Sequence, residues 1–120
     1  MGTKSFKEIE AWQLAHKIVL EVYELTNDFP KEEIYGLISQ FRRAAVSIAA
    51  NIAEGYKKNG IKDKIKFYNI SQGSIEECRY YILLSKDLGY GYSSEMEELL
   101  DKCSRKLFGY VKSIKENRNY

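Results

Sequence analysis

The sequence predicts an all-α chain folded as an antiparallel, up-down-up-down four-helix bundle. Apolar residues recur at threes and fours through nearly all 120 residues, and no segment has the strict alternation of a half-buried strand. Turn residues cut the pattern into four pieces whose short connections force antiparallel neighbours. The expected helices cover about residues 6–29, 33–55, 61–88 and 94–116 of one domain spanning 1–120.

The first helix rests on Ile9, Trp12, Ala15, Val19, Val22, Leu25 and Phe29, with charged residues largely between them. Ser5 and Glu8 have capping-box spacing, and Pro30 stops the helix because it lacks an N–H. The second begins after Lys31-Glu32-Glu33, where carboxylates suit the positive end of a helix dipole, and is bounded by Gly55 and Asn59-Gly60. Its core stripe is Leu37, Phe41, Ala45, Ile48 and Ile52, and Ala45, Ala49 and Ala53 leave a low surface for close helix approach. The third places Phe67, Ile70, Ser74, Glu77, Tyr81, Leu84 and Leu88 on one stripe and ends at Gly89. The fourth opens on Ser94 and Glu97, a second capping box, and turns Met96, Leu99, Leu100, Cys103, Leu107, Tyr110, Val111 and Ile114 inward.

Composition bounds the function classes. At 44% hydrophobic with one proline, the chain has enough apolar surface to fold, and a net charge of +2 does not by itself announce a nucleic-acid binder. The N-terminus lacks a signal-peptide pattern, and the longest mostly apolar stretch, Ala44 to Ala53, is about half a bilayer span. A soluble, cytoplasmic protein without membrane association is expected. Cys78 and Cys103 form no metal or redox motif and read as buried free thiols.

One stripe of the second helix, Gln40, Arg43, Ser47, Asn51 and Glu54, is made only of polar side chains. Glu77 and Ser74 fall on the apolar stripe expected for the third helix, and a carboxylate drawn toward a core needs a partner. Arg42 or Arg43 is the natural one, since a guanidinium holds a carboxylate with two parallel hydrogen bonds. A buried or half-buried Arg–Glu network is therefore expected, with Arg42, Arg43, Ser47, Asn51, Glu54, Ser74 and Glu77 as its members and helix register as its role.

The run Tyr35-Gly36-Leu37, Gln40-x-Arg42-Arg43-Ala44-Ala45-x-Ser47-Ile48 and Ala50-Asn51-Ile52-Ala53-Glu54-Gly55 resembles the small four-helix-bundle proteins encoded by intervening sequences in bacterial 23S rRNA genes. The resemblance extends to Ser5-Phe6-Lys7, Trp12, Phe29-Pro30-Lys31-Glu32-Glu33, Gly73-Ser74-x-x-Glu77 and Lys86-Asp87-Leu88-Gly89-Tyr90. It implies a bundle that assembles as a ring-like homopentamer with no known catalytic activity. A related branch serves diversity-generating retroelements as an accessory protein that binds nucleic acid and a reverse transcriptase. The family commonly has Pro where this chain has Ala49, so a straighter second helix is expected.

Catalysis is not expected. The one histidine, His16, has no His or Cys partner at ligand spacing, and neither a phosphate loop, a nucleophile elbow nor a Glu-x-x-His signature is present. No cofactor or metal is implied. Local charge leaves association with RNA or DNA open through Lys57, Lys58, Lys62, Lys64 and Lys66 after the second helix and Lys102, Arg105, Lys106, Lys112, Lys115 and Arg118 toward the C-terminus. Bundle topology brings the two clusters toward one end. The plainer reading of these cations is solvation of a turn and a helix C-terminus. A protein-interaction or scaffold module without direct nucleic-acid binding is the alternative, favoured by Tyr90-Gly91-Tyr92 and by the small residues of the second helix.

Overall fold

The computed structural model describes residues 4–117. Four helices, α1 (Glu10–Thr26), α2 (Leu37–Lys57), α3 (Ile61–Asp87) and α4 (Ser94–Glu116), make up the bundle, with single 3-10 turns at Phe6–Glu8 and Lys31–Glu33. Each helix packs on two neighbours, in the order α1–α2–α3–α4 and back to α1, and α2 with α3 is the most extensive pair. The body measures 50 × 24 × 20 Å. Every sequential pair runs antiparallel, as the expected topology requires.

The first helix is shorter than its periodicity suggested. Ser5 Oγ accepts from the Lys7 amide and so caps the 3-10 turn, while Glu8 accepts from the Lys4 amide, and Ile9 opens α1 without a side-chain cap. At the other end α1 stops at Thr26, three residues before Phe29, because Thr26 Oγ1 donates 2.7 Å back to the Val22 carbonyl and closes the last turn. Phe29 is still buried, against Tyr90.

The start of α2 is delayed to Leu37, whose amide donates to Glu33 Oε1 at 3.1 Å. Glu33 thus does from the preceding turn what the adjacent Gly36 has no side chain to do. Its other oxygen accepts from the Tyr90 hydroxyl at 2.9 Å, tying the first connection to the third and raising the Tyr90 pKa. α2 then runs unbroken through Ala49 to Lys57, so Gly55 lies inside the helix instead of ending it. An added Cβ at Gly55 would stand 2.6 Å from the Tyr68 ring, so the missing side chain is what admits that aromatic into the core. At the head of α4 the cap is Ser93, whose hydroxyl accepts from the Met96 amide, one residue earlier than the Ser94–Glu97 box placed it.

The expected core stripes hold for α2, where Leu37, Phe41, Ala45, Ile48 and Ile52 are all buried, and for α4, where Met96, Leu100, Cys103, Leu107 and Ile114 are. α3 is different. Its buried stripe is Tyr68, Ser71, Ser74, Ile75, Cys78, Ile82 and Ser85, turned by about one residue, or roughly 100°. Ile70, Glu77 and Leu88 are exposed.

The physical reason lies in what each face would bury. The face richer in large apolar residues carries Glu77, whose desolvation costs several kcal/mol or so without a partner. The other carries serines that hydrogen-bond where they lie. Ser71 Oγ donates to the Ile48 carbonyl at 2.9 Å, Ser74 Oγ to Ser47 Oγ at 2.8 Å, and Ser85 Oγ to the Tyr81 carbonyl at 2.7 Å. Their small volume also lets α2 and α3 approach closely.

Candidate interaction surfaces

The residues expected to form one Arg–Glu network divide into four groups. Arg42 turns toward α1, where Nε donates to Thr26 Oγ1 at 2.8 Å and Nη2 donates to Asn27 Oδ1 at 3.2 Å and to the Tyr23 carbonyl at 3.4 Å. The guanidinium also lies 4.4 Å from the centre of the Tyr23 ring. The last turn of α1 has no basic residue of its own, and Arg42 supplies the cation that a helix C-terminus favours. Arg43 and Glu77 face one cleft with Gln40 and Ser47, but Glu77 is exposed and forms an ion pair with neither arginine. The buried Arg–Glu pair is thus replaced by a solvated carboxylate, because α3 presents its serine face inward.

In the middle of α2 and α3 the side-chain hydrogen bonds between them are neutral. Ser47 Oγ accepts from Ser74 and from Asn51 Nδ2 at 3.0 Å, and the Asn51 amide also donates to the Ser47 carbonyl at 2.8 Å. Glu54 meets Lys58 of its own helix, at 4.0 Å. Three further contacts had no sequence signal: the Arg42 cap, the reciprocal Gln72–Ser104 bonds of 3.0 and 2.8 Å between α3 and α4, and Arg79 lying between Glu76 and Asp101. Each pairs residues from separate stretches of chain or from a helix flank that periodicity does not distinguish.

The proposed cations also separate. Lys57, Lys62, Lys66, Lys112 and Lys115 are exposed and make no ion pair among the described residues, and they lie toward the end of the bundle where α2 and α4 finish and α3 starts. Lys58 reaches Glu54 and the face of Phe67. Lys64 donates to the carbonyls of Gly55 and Tyr56 at 3.3 and 2.7 Å, capping α2, and partial burial lowers its pKa. Lys102, Arg105 and Lys106 sit on the shaft of α4, between about 15 and 21 Å from its last residue, where Arg105 pairs with Asp101 and Lys106 with Glu10. Arg118 lies outside the described residues. The opposite end holds Glu24, Asp28, Glu32, Glu33, Asp87, Glu95, Glu97 and Glu98 with Lys31, Arg42 and Lys86 among them, so the bundle is polarised along its length.

A surface the sequence did not single out runs between α1 and α2. Phe6, Trp12, His16, Val19, Val46, Ala49, Ala50 and Ala53 line one cleft, and Val46 also lines the next one along with Tyr23, Ile34, Ile38 and Arg42. Tyr23 and Val46 on this side are 43% and 41% exposed. His16 stacks on Trp12 with ring centres 5.1 Å apart, and Phe6 meets the same indole edge-on. The helical signal for this surface was present in the spacing of Trp12, Val19 and Tyr23, but periodicity assigned Trp12 and Val19 to the core. Of the expected stripe Ile9, Ala15, Val22 and Phe29 are buried, while Trp12, Val19 and Leu25 pack half-buried against the core beside Ala11 and Ile18.

Both cysteines are buried free thiols, as expected, and burial pushes each pKa up to about 12, with Glu77 and Cys103 adding to the effect at Cys78. At pH 8 about one thiol in ten thousand is then ionised. The native protein is expected to resist iodoacetamide and to take up two labels once unfolded in guanidinium. Rapid stoichiometric labelling of the folded protein would contradict this.

Among the described residues no group of three or more His, Cys, Asp or Glu side chains is arranged to hold a metal ion. No helix among them is long and apolar enough to cross a membrane. The family model described as 23S rRNA-intervening sequence protein matches residues 7–107. No curated protein matches the chain.

Proposed function

Since the chain belongs to the 23S rRNA-intervening sequence protein family, we propose that it acts as a non-catalytic subunit of a homo-oligomeric ring, a pentamer by that resemblance, in the cytoplasm. The observation that supports this reading is the largely apolar cleft of Phe6, Trp12, Val19, Val46 and the α2 alanines, which meets at Val46 a second cleft lined by Tyr23, Ile34 and Ile38 together with Ser39, Arg42, Arg43 and Ser47. A large exposed apolar patch on a folded domain marks an interaction surface. Val46 lies where its two clefts meet, so Val46→Glu puts a charge at its centre and leaves the bundle core alone. Light scattering at micromolar concentration is expected to give an oligomer for the wild type and a monomer of unchanged helicity for Val46→Glu. A wild-type monomer would remove the ring.

The same proposal gives the basic end a role in associating with RNA or DNA. It rests on the five exposed lysines Lys57, Lys62, Lys66, Lys112 and Lys115, which a ring repeats around its axis and so multiplies in avidity. Binding to RNA and to duplex DNA is expected at low ionic strength, with affinity falling linearly on a log–log salt plot. Lys57→Glu with Lys62→Glu should abolish it, and the absence of wild-type retention even in low salt would sink it. In that event the scaffold alternative stands, and pull-down from a lysate treated with nuclease identifies a direct protein partner.

A further inference from the structure

On the far side of the bundle from the α1–α2 clefts, Phe108 is 67% exposed. It lies one turn beyond Ser104 and two beyond Asp101, both of which reach α3, so its side chain stands on the α3–α4 face. Beside it, Gly109 has nothing within 4 Å of where a Cβ would be. A helical glycine in open space gives up roughly 0.5–1 kcal/mol relative to alanine and has no packing reason within a single chain. An aromatic with an empty flank is a protruding knob.

Its height along the bundle is set by contacts already described. Ser71 of α3 bonds the Ile48 carbonyl of α2, and the neighbouring Gln72 bonds Ser104 of α4. Tyr68 of α3 packs on Gly55 of α2 and on Tyr110 of α4. Positions 104–110 of α4 are therefore level with positions 48–55 of α2. That is the level of Ala49, Ala50 and Ala53, the low floor of the cleft walled by Trp12 and Val19. A hollow floored by alanines and an exposed phenyl ring thus stand at one height on opposite faces.

Rotation about a ring axis that runs along the bundle carries every atom round at constant height, so two surfaces that meet in such a ring must lie level. We infer that Phe108 of one copy seats in the Trp12–Ala50 cleft of the next, making the contact heterologous. The occupant is a second copy of this chain. This inference rests on the ring reading above, and supplies the two unlike faces that a closed ring needs.

The test uses two variants of the full chain, Phe108→Asp to remove the knob and Ala50→Glu to block the hollow. Both positions are exposed, so helicity by circular dichroism should be unchanged. Alone, each variant is expected to lose the oligomer and run as a monomer at concentrations where the wild type is assembled. Mixed at equal concentration, they retain one intact knob-and-hollow pair, and the expected product is a one-to-one heterodimer that grows no further. A Phe108→Asp variant that still forms the wild-type oligomer would overturn the inference while leaving the ring reading intact, and a monomeric wild type would overturn both. A mixture that stays monomeric would show that knob and hollow do not meet each other.

Discussion

Gly55→Ala is expected to destabilise the bundle by about 1–3 kcal/mol, the range for forcing extra volume into a packed core. The sign is opposite to the ordinary rule, since Gly to Ala inside a helix normally gains up to about 1 kcal/mol. The new methyl would stand 2.6, 3.0 and 3.1 Å from three atoms of the Tyr68 ring. That ring is fully buried and held edge-on against Tyr110, so it has little room to retreat. Gly73→Ala supplies the contrast. Gly73 lies exposed in the middle of α3 with nothing near its absent Cβ, and its replacement should stabilise by roughly 0.5–1 kcal/mol. Urea denaturation of both variants at one fixed protein concentration checks the pair, and effects of equal sign would mean that the Gly55–Tyr68 approach does not control this packing.

Arg42→Ala is expected to cost on the order of 1.5–3 kcal/mol, the usual worth of hydrogen bonds to a charged group. The loss is concentrated at the last turn of α1, where the guanidinium bonds Thr26, Asn27 and the Tyr23 carbonyl. Arg42→Lys should recover only part of it, because an ammonium cannot span three acceptors in a planar fork or stack as well on Tyr23. Amide exchange near Thr26 should rise well above that of α3. A double-mutant cycle with Thr26→Val gives the sharper check, since shared bonding predicts a coupling of at least about 0.5 kcal/mol. Strict additivity would show that the Arg42–Thr26 bond contributes nothing.

These two sites differ in how far they were legible. Gly55 stood out as a glycine at the foot of an apolar helix, and the natural inference was a terminator. Its use as a seat for Tyr68 depends on a ring from another helix, which spacing within one helix cannot reveal. The sequence offers Arg42, with Arg43 as the alternative, as a partner for Glu77, but a guanidinium is long enough to reach either flanking helix. The choice fell to α1, whose C-terminal carbonyls lacked a cation.

The half-open apolar cleft between α1 and α2 escapes the sequence for a related reason. Periodicity counts hydrophobic residues and not the surface left to cover, and α1 has two adjacent apolar stripes. The stripe with Ala11, Ala15 and Ile18 fits the tight interior, whereas the bulk of Trp12, Val19 and Leu20 is left toward solvent or half-covered. The lysine clusters show the same limit in electrostatic form. Their number was evident, but which are engaged was not, because Lys64 caps α2 and Lys106 reaches Glu10 across to α1.

By itself the sequence determined the helical class, the four elements in their order, the inward stripes of α2 and α4, and the family. These follow from short-range pattern: 3.6-residue periodicity, turn residues and motif runs all act within a few residues of one another. The tertiary structure alone decided which face of α3 turns inward, where Arg42 and Glu77 go, and which apolar residues remain outside. The physical reason is that rotating a helix about its axis leaves its own hydrogen bonds unchanged. The rotation is settled by competition between faces for burial, and on α3 three satisfied serines cost less to bury than one unpaired carboxylate.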